Sequence, residues 1–89
     1  MRTVITVIGK DTVGIIAKIS ALLSEHDINV LDITQSVLGD MFVMVMLADI
    51  SKSKVDFTAL VKTLDSLGDG LGLKIHTMHE DVFNSMHRI

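Results

Sequence analysis

Residues 8–16 read IGKDTVGII. Gly9 and Gly14 enclose four residues, the spacing that opens the phosphate-loop pattern G-x-x-x-x-G-K-[ST]. In that pattern backbone N–H groups cradle phosphate, Lys reaches the outer phosphates and Ser/Thr holds the metal. Here Ile15 and Ile16 follow the second glycine, Lys10 precedes it, and Asp11 places negative charge inside the loop. No downstream Walker-B Asp is evident. The structural alternative is geometric. Gly9 ends a strand where the chain turns sharply, and Gly14 lies in the first helical turn, where a side chain would block close backbone approach. A helix start without a side chain also exposes N–H donors. Such a nest favours the negative end of a small molecule, such as a carboxylate.

The other reactive side chains form no recognisable motif. His76 and His79 are three apart in a strand-like run, so they point to opposite faces. HTMHE is not the helical H-E-x-x-H of a metalloprotease, and His79, Glu80 and His87 meet only if the tail folds back. Ser20, Ser24 and Ser36 have no His or acid at a triad spacing. Asp32 and Gln35 fall on opposite faces of one strand; Asp32 reads as a rim residue, with a dimer groove as the alternative. There is no Cys, which removes disulfides, thiolate zinc sites and Cys nucleophiles together. No catalytic residue, metal or cofactor is expected. Met41, Met44, Met46 and Met86 read as gap-filling core, with an adaptable interface as the alternative.

Composition limits the partners. The formal net charge is −3, aromatics are 3%, and the lysines are scattered, so neither a basic patch nor a stacking platform for nucleic acid is present. The opening MRTVITVIGKD is too short and too early interrupted for a signal peptide. No stretch approaches the roughly 18 apolar residues of a membrane span. The expectation is a cytoplasmic protein without nucleic-acid or membrane partners. At 89 residues it is one domain with a modest core, which an oligomer would support.

The elements that position these residues follow from periodicity. RTVITVI (2–8) is a β-branched strand. From Val13 to Leu23 the apolar residues Ile16, Ile19 and Leu23 form a helical stripe, capped by Asp11 or Thr12 and ended by EHD. INVLDITQSVL (28–38) alternates, with Leu31, Ile33 and Val37 on one face and Asp32, Thr34 and Ser36 on the other. Gly39-Asp40 is a hairpin turn. MFVMVMLADI (41–50) is apolar on both faces, as in a central strand covered on both sides.

Ser53 and Asp56 have capping-box spacing before the stripe Phe57, Leu60, Val61, Leu64, Leu67. GDGLG (68–72) stops that helix through its glycines. LKIHTMH (73–79) is a fourth strand. The tail, with Val82, Phe83, Met86 and Ile89 on one side, is a short docking helix. The order βαββαβ plus a tail predicts an α+β, ferredoxin-like sandwich: a four-stranded antiparallel sheet, two helices on one face, and a short C-terminal helix. Strands one and three sit in the middle. The open face near Phe42, Met44, Met46 or their neighbours then needs a cover, which a partner subunit or the tail supplies. A homodimer is expected.

VIGKDTVGIIAKISALLSEHDINVLDITQ resembles the ACT domain, a small regulatory module of amino-acid metabolism. The shared pattern is a strand, G-x-D-x-x-G-[ILV], an apolar helix, then Asn-[IV] opening strand two. Gly9, Asp11, Gly14, Ile15 and Asn29 fall on it. The ending HEDVFNSMHRI is similar to that of small stand-alone ACT-domain proteins of bacteria and archaea; glycine-cleavage repressor-like regulators are more distant. Many relatives carry Arg-Pro where this chain has Thr12-Val13, and Pro would preset the first helical turn. The resemblance implies an ACT domain over 1–80, a helical tail over 81–89, and amino-acid sensing at a subunit interface. It further implies a ligand site of Asp11, Thr12, Val13, Gly14, Ile15 and Asn29. Asp11 would meet the amino group, the amides near Val13, Gly14 and Ile15 the carboxylate, and Asn29 either end.

Three functions follow as expectations. The first is a non-enzymatic regulatory homodimer that binds an amino acid or similar metabolite at its interface and signals to a separate effector protein. The second is a pure assembly module with no ligand. The third is an enzyme on the same fold. Acylphosphatases need an Arg in the first loop and a catalytic Asn on strand two. This loop offers only Lys10 opposed by Asp11, and Asn29 opens its strand.

Overall fold

The computed structural model describes residues 1–10 and 14–86. The elements are β1 (Arg2–Lys10), α1 (Ile15–Glu25), β2 (Asn29–Leu38), β3 (Met41–Asp49), α2 (Phe57–Leu71), β4 (Lys74–His79) and α3 (Glu80–Met86). The sheet runs β2-β3-β1-β4, and every neighbouring pair is antiparallel. β1 and β2 both flank β3, so they run parallel to each other and α1 is the crossover between them. α2 joins β3 to β4 in the same way. This is the expected ferredoxin-like arrangement, with β1 and β3 central.

Alternation decides which side chains meet the helices. Ile5 pairs with Met46 and Val7 with Met44, and all four are fully buried. They join Ile15, Ile19 and Leu23 of α1, Leu60 and Leu64 of α2, and Ile75 of β4 in one core. Burying each such side chain stabilises by about 1.5–3 kcal/mol before chain entropy is counted. Met44 and Met46 therefore face the helices, and Phe42 packs against the same core. The open face instead carries their neighbours Val43, Val45 and Leu47, opposite Ile8, Thr6 and Val4. Arg2, on the same alternation as Val4, holds Glu80 at the start of α3 through two hydrogen bonds, Nε to Oε1 at 3.0 Å and Nη2 to Oε2 at 2.7 Å. The tail helix contacts β1 and β4.

Several local expectations are corrected. Gly9 does not turn the chain: it lies inside β1, paired with Phe42. A Cβ there would collide with the Cδ2 of Leu73, so glycine serves close packing. Gly14 has open space around a would-be Cβ. Its requirement is conformational, since φ is +85°. Ser53 is not the cap of α2, because its hydroxyl is engaged by Val55. Asp56 is the cap, accepting from Ala59 N–H at 2.8 Å. Nor do the first glycines of GDGLG stop the helix. It continues through Gly68 and Gly70 and closes at Gly72, φ +71°, in the Schellman pattern of Leu73 N–H to Gly68 O at 2.8 Å. Gly68 lets α2 lie on β4, since a Cβ would stand 3.0 Å from Leu73 O.

Asp56→Ala is expected to lower unfolding free energy by about 1 kcal/mol, read from urea denaturation, because the Ala59 N–H loses its acceptor. Ser53→Ala in the same assay distinguishes the two assignments: as a cap it would cost as much.

Candidate ligand-binding site

Of the six residues proposed for ligand binding, Asp11, Thr12 and Val13 lie outside the described residues. So does the expected cap of α1 by Asp11 or Thr12. Gly14 is the N-cap residue of α1, and its carbonyl accepts from Lys18 N–H at 3.0 Å, the first helical bond. The N–H groups of Ile15, Ile16 and Ala17 precede that bond and have no intrahelical acceptor, and glycine offers them no side-chain oxygen. The helix start thus presents donors and the positive end of its dipole. Ile15 is buried, so only its backbone is available there.

Asn29 is exposed at the start of β2, opposite Asp49, which in turn pairs with Arg2. Lys10, the residue before the loop, pairs with Met41 at the other end of the sheet. Eight steps of β1 separate the two ends, about 27 Å at 3.4 Å per residue. One chain therefore does not bring Gly14 and Asn29 together.

An open groove of ≈ 510 Å³ lies between the C-terminal half of α1 and the start of β2, with Asn29 in its lining. Ser20, Ser24, Asp27 and Lys52 supply its other polar lining, with Ile28 and Val30 as apolar walls. Its frame is well tied. α1 ends in a Schellman motif, Ile28 N–H to Leu23 O at 2.9 Å and Asp27 N–H to Ser24 O at 3.1 Å. Asp27 takes the left-handed position, φ +56°, that glycine usually fills. Lys54 N–H donates to His26 O at 3.0 Å, which docks the loop carrying Lys52 onto this turn, and Lys54 Nζ stands 3.5 Å from Asp27. Sequence reasoning set Ser20 and Ser24 aside for lack of a triad partner and counted Lys52 among scattered lysines. Ser20 and Ser24 are i, i+4 neighbours on α1, and that spacing was the available signal.

β2 is an edge strand and is exposed almost throughout. Leu31, Ile33, Val37 and Leu38 are 44%, 38%, 69% and 66% exposed. A bulge between Val30 and Asp32 makes Leu31 the extra residue. Ile33 and Val37 then share the helix side, and Asp32, Thr34 and Ser36 the open side, as the alternation predicted. The Asp32 carboxylate accepts from Ile33 N–H at 2.9 Å.

The other candidates have local roles. His76 and His79 do point to opposite faces, by their pairings with Thr6 and Thr3. His79 stacks on Phe57 with ring centroids 4.0 Å apart. No group of three metal-ligating side chains occurs among the described residues, and His87 lies outside them. No described helix is long and apolar enough to cross a membrane. Asp49 accepts from the backbone N–H and hydroxyl of Ser51, which together with the nearby N-terminal ammonium hold its carboxyl below the usual 3.8. A lowered folded-state value stabilises above 3.8 and is lost as pH falls through it. Asp49→Asn is accordingly expected to flatten the fall of melting temperature on acidification below about pH 4, read in thermal melts.

Comparison with known proteins agrees with the fold. Residues 2–78 match the family model described as ACT domain. A UPF0237 protein of Methanocaldococcus jannaschii is 49% identical over 88 residues, covering 99% of this chain and 98% of its own. The structure of an ACT domain protein from Streptococcus pneumoniae superposes with a TM-score of 0.82 at 37% identity, over 93% of each chain. A candidate glycine cleavage system transcriptional repressor superposes with a TM-score of 0.71 at 27% identity, over 85% of this chain and 43% of its own. The fold, the loop pattern and these matches place the chain in the ACT domain family, as a UPF0237-type regulatory protein.

Proposed function

We propose that this protein is a non-enzymatic sensor that works as a homodimer in the cytoplasm. Two copies pair antiparallel through β2 and bind an amino acid, or a similar small metabolite, between them. The observation that carries this reading is the edge strand. β2 presents an unpaired row of backbone groups and four exposed apolar side chains, features that otherwise invite aggregation. Antiparallel pairing turns the start of one β2 toward the end of the other. Asn29 of one copy then approaches the sheet end that carries the first loop and the α1 start of the second. The separation within one chain thereby becomes proximity between two.

In that site the N–H groups near Val13, Gly14 and Ile15 take the ligand carboxylate. Asp11 takes its amino group, Thr12 adds a hydroxyl, and Asn29 of the second copy closes the site. A separate effector protein would read the signal. The same edge strand would equally serve an assembly module without ligand, and a ligand screen separates the two. An amino acid at 100 times its Kd adds about 2.7 kcal/mol. For a domain this size that raises the melting temperature by roughly 10–20 °C. A flat thermal-shift response across all twenty amino acids would leave assembly as the function.

A further inference from the structure

We infer that the groove between α1 and the start of β2 is a carboxylate-binding subsite, and that the ligand of the paired site is a dicarboxylic amino acid. Its side-chain carboxylate enters this groove. The inference rests on the paired-strand reading for the position of the amino-acid end, but the groove itself belongs to a single chain.

Three polar side chains line it: those of Ser20, Ser24 and Lys52, while Asn29, paired with Asp49, turns its side chain to the open face at the rim. None has a hydrogen-bond or ion-pair partner among the described residues. All three donate hydrogen bonds, and Lys52 supplies a full positive charge. The single carboxylate in the lining, Asp27, is already matched by Lys54 at 3.5 Å. The charge left over in the groove is therefore positive. That excludes a cationic guest and favours one oxyanion, since Lys52 balances a single negative charge.

The frame points the same way. Asp27 is the one residue other than glycine with positive φ among the described residues. Glycine would relax that backbone, yet Asp at this position holds Lys54, whose N–H fastens the Lys52 loop to the α1–β2 turn. That bond keeps the loop carrying Lys52 beside the turn. Ile28 and Val30 give apolar walls for one or two methylene groups. Aspartate or glutamate supplies that length and that charge, and their amides supply the length alone.

The test is calorimetric titration of the purified full chain with glutamate, glutamine, aspartate and asparagine at equal ionic strength, repeated with Lys52→Met. At least one acid should bind about tenfold or more tightly than its amide, since a charge-assisted contact replaces a neutral one. Lys52→Met should abolish that preference by bringing the acid down to the affinity of its amide, with sedimentation and circular dichroism unchanged. Equal affinity for acid and amide overturns the inference, as does a preference that survives Lys52→Met. If the amides bind a dimer as well as the acids do, the paired-strand reading stands and the subsite falls. If no amino acid binds and the chain sediments as a monomer, both fall.

Discussion

Replacing Ile33 and Val37 together with lysine should turn the protein into a monomer without unfolding it. Both side chains lie on the helix side of β2 and remain 38% and 69% exposed in a single chain. Within one chain the substitution therefore costs little: surface changes away from special features stay within about 0.5 kcal/mol. Between two chains it sets lysines of one copy close to lysines of the other and removes four apolar side chains per dimer from the contact. Lysine is also the residue that natural edge strands use to repel a second edge. A loss of two such anchors per copy is expected to weaken association by about 100-fold or more. Sedimentation velocity over a concentration series reads the dissociation, and far-ultraviolet circular dichroism checks the fold. An unchanged dimer would mean that copies meet elsewhere, with the open face of Val43, Val45 and Leu47 as the first place to look.

Leu64→Ala should cost about 3 kcal/mol of stability, within the 2–5 kcal/mol range for buried leucines. Leu64 is fully buried on α2, one turn from Leu60 and one turn from Gly68. The cost of such a cavity depends on how far the surroundings can close around it. Here α2 is already held at its closest approach to β4, with Gly68 against Leu73 O, and its ends are fixed by Asp56 and Gly72. The helix has little room to settle into the void. For 89 residues the melting temperature falls by roughly 12–24 °C. Urea denaturation with an unchanged m-value is the expected form of the result. A loss below about 1 kcal/mol would show that α2 is free to shift.

Most of the fold was legible because its signals are local. Alternation in 41–50, the stripe from Phe57 to Leu67 and the Gly39-Asp40 turn each specify one element. Their order leaves few topologies. What sequence could not supply was contact between distant residues. Nothing near Gly9 announces that Leu73 lies against it, since that meeting is made by β1–β4 pairing. The apolar run of β3 shows that both faces matter, but only the register with β1 tells Met44 from Val45. Ser53 and Asp56 satisfy a capping spacing, and the helix begins one turn later because Ser53 finds Val55 first.

The candidate site was legible in part for the same reason. The loop pattern and Asn29 are sequence features, whereas their separation by the length of β1 is a property of the sheet. Of the groove, only the i, i+4 spacing of Ser20 and Ser24 was visible. The groove needs a serine pair on α1, a turn held by Asp27 and a lysine that follows β3, brought together by one backbone hydrogen bond from Lys54 to His26. In the proposed dimer the loop that opens like a phosphate motif has a narrower meaning: a helix start whose partner, Asn29, would come from a second chain.

The most direct measurement is an isotope-filtered nuclear Overhauser experiment on a mixture of labelled and unlabelled chains. Paired β2 strands predict intermolecular contacts from the methyl groups of Ile33 and Val37 to the same strand of the other copy, together with contacts from Asn29 to the first loop. Intermolecular contacts confined to Val43, Val45 and Leu47, or none at micromolar concentration and above, would contradict the account.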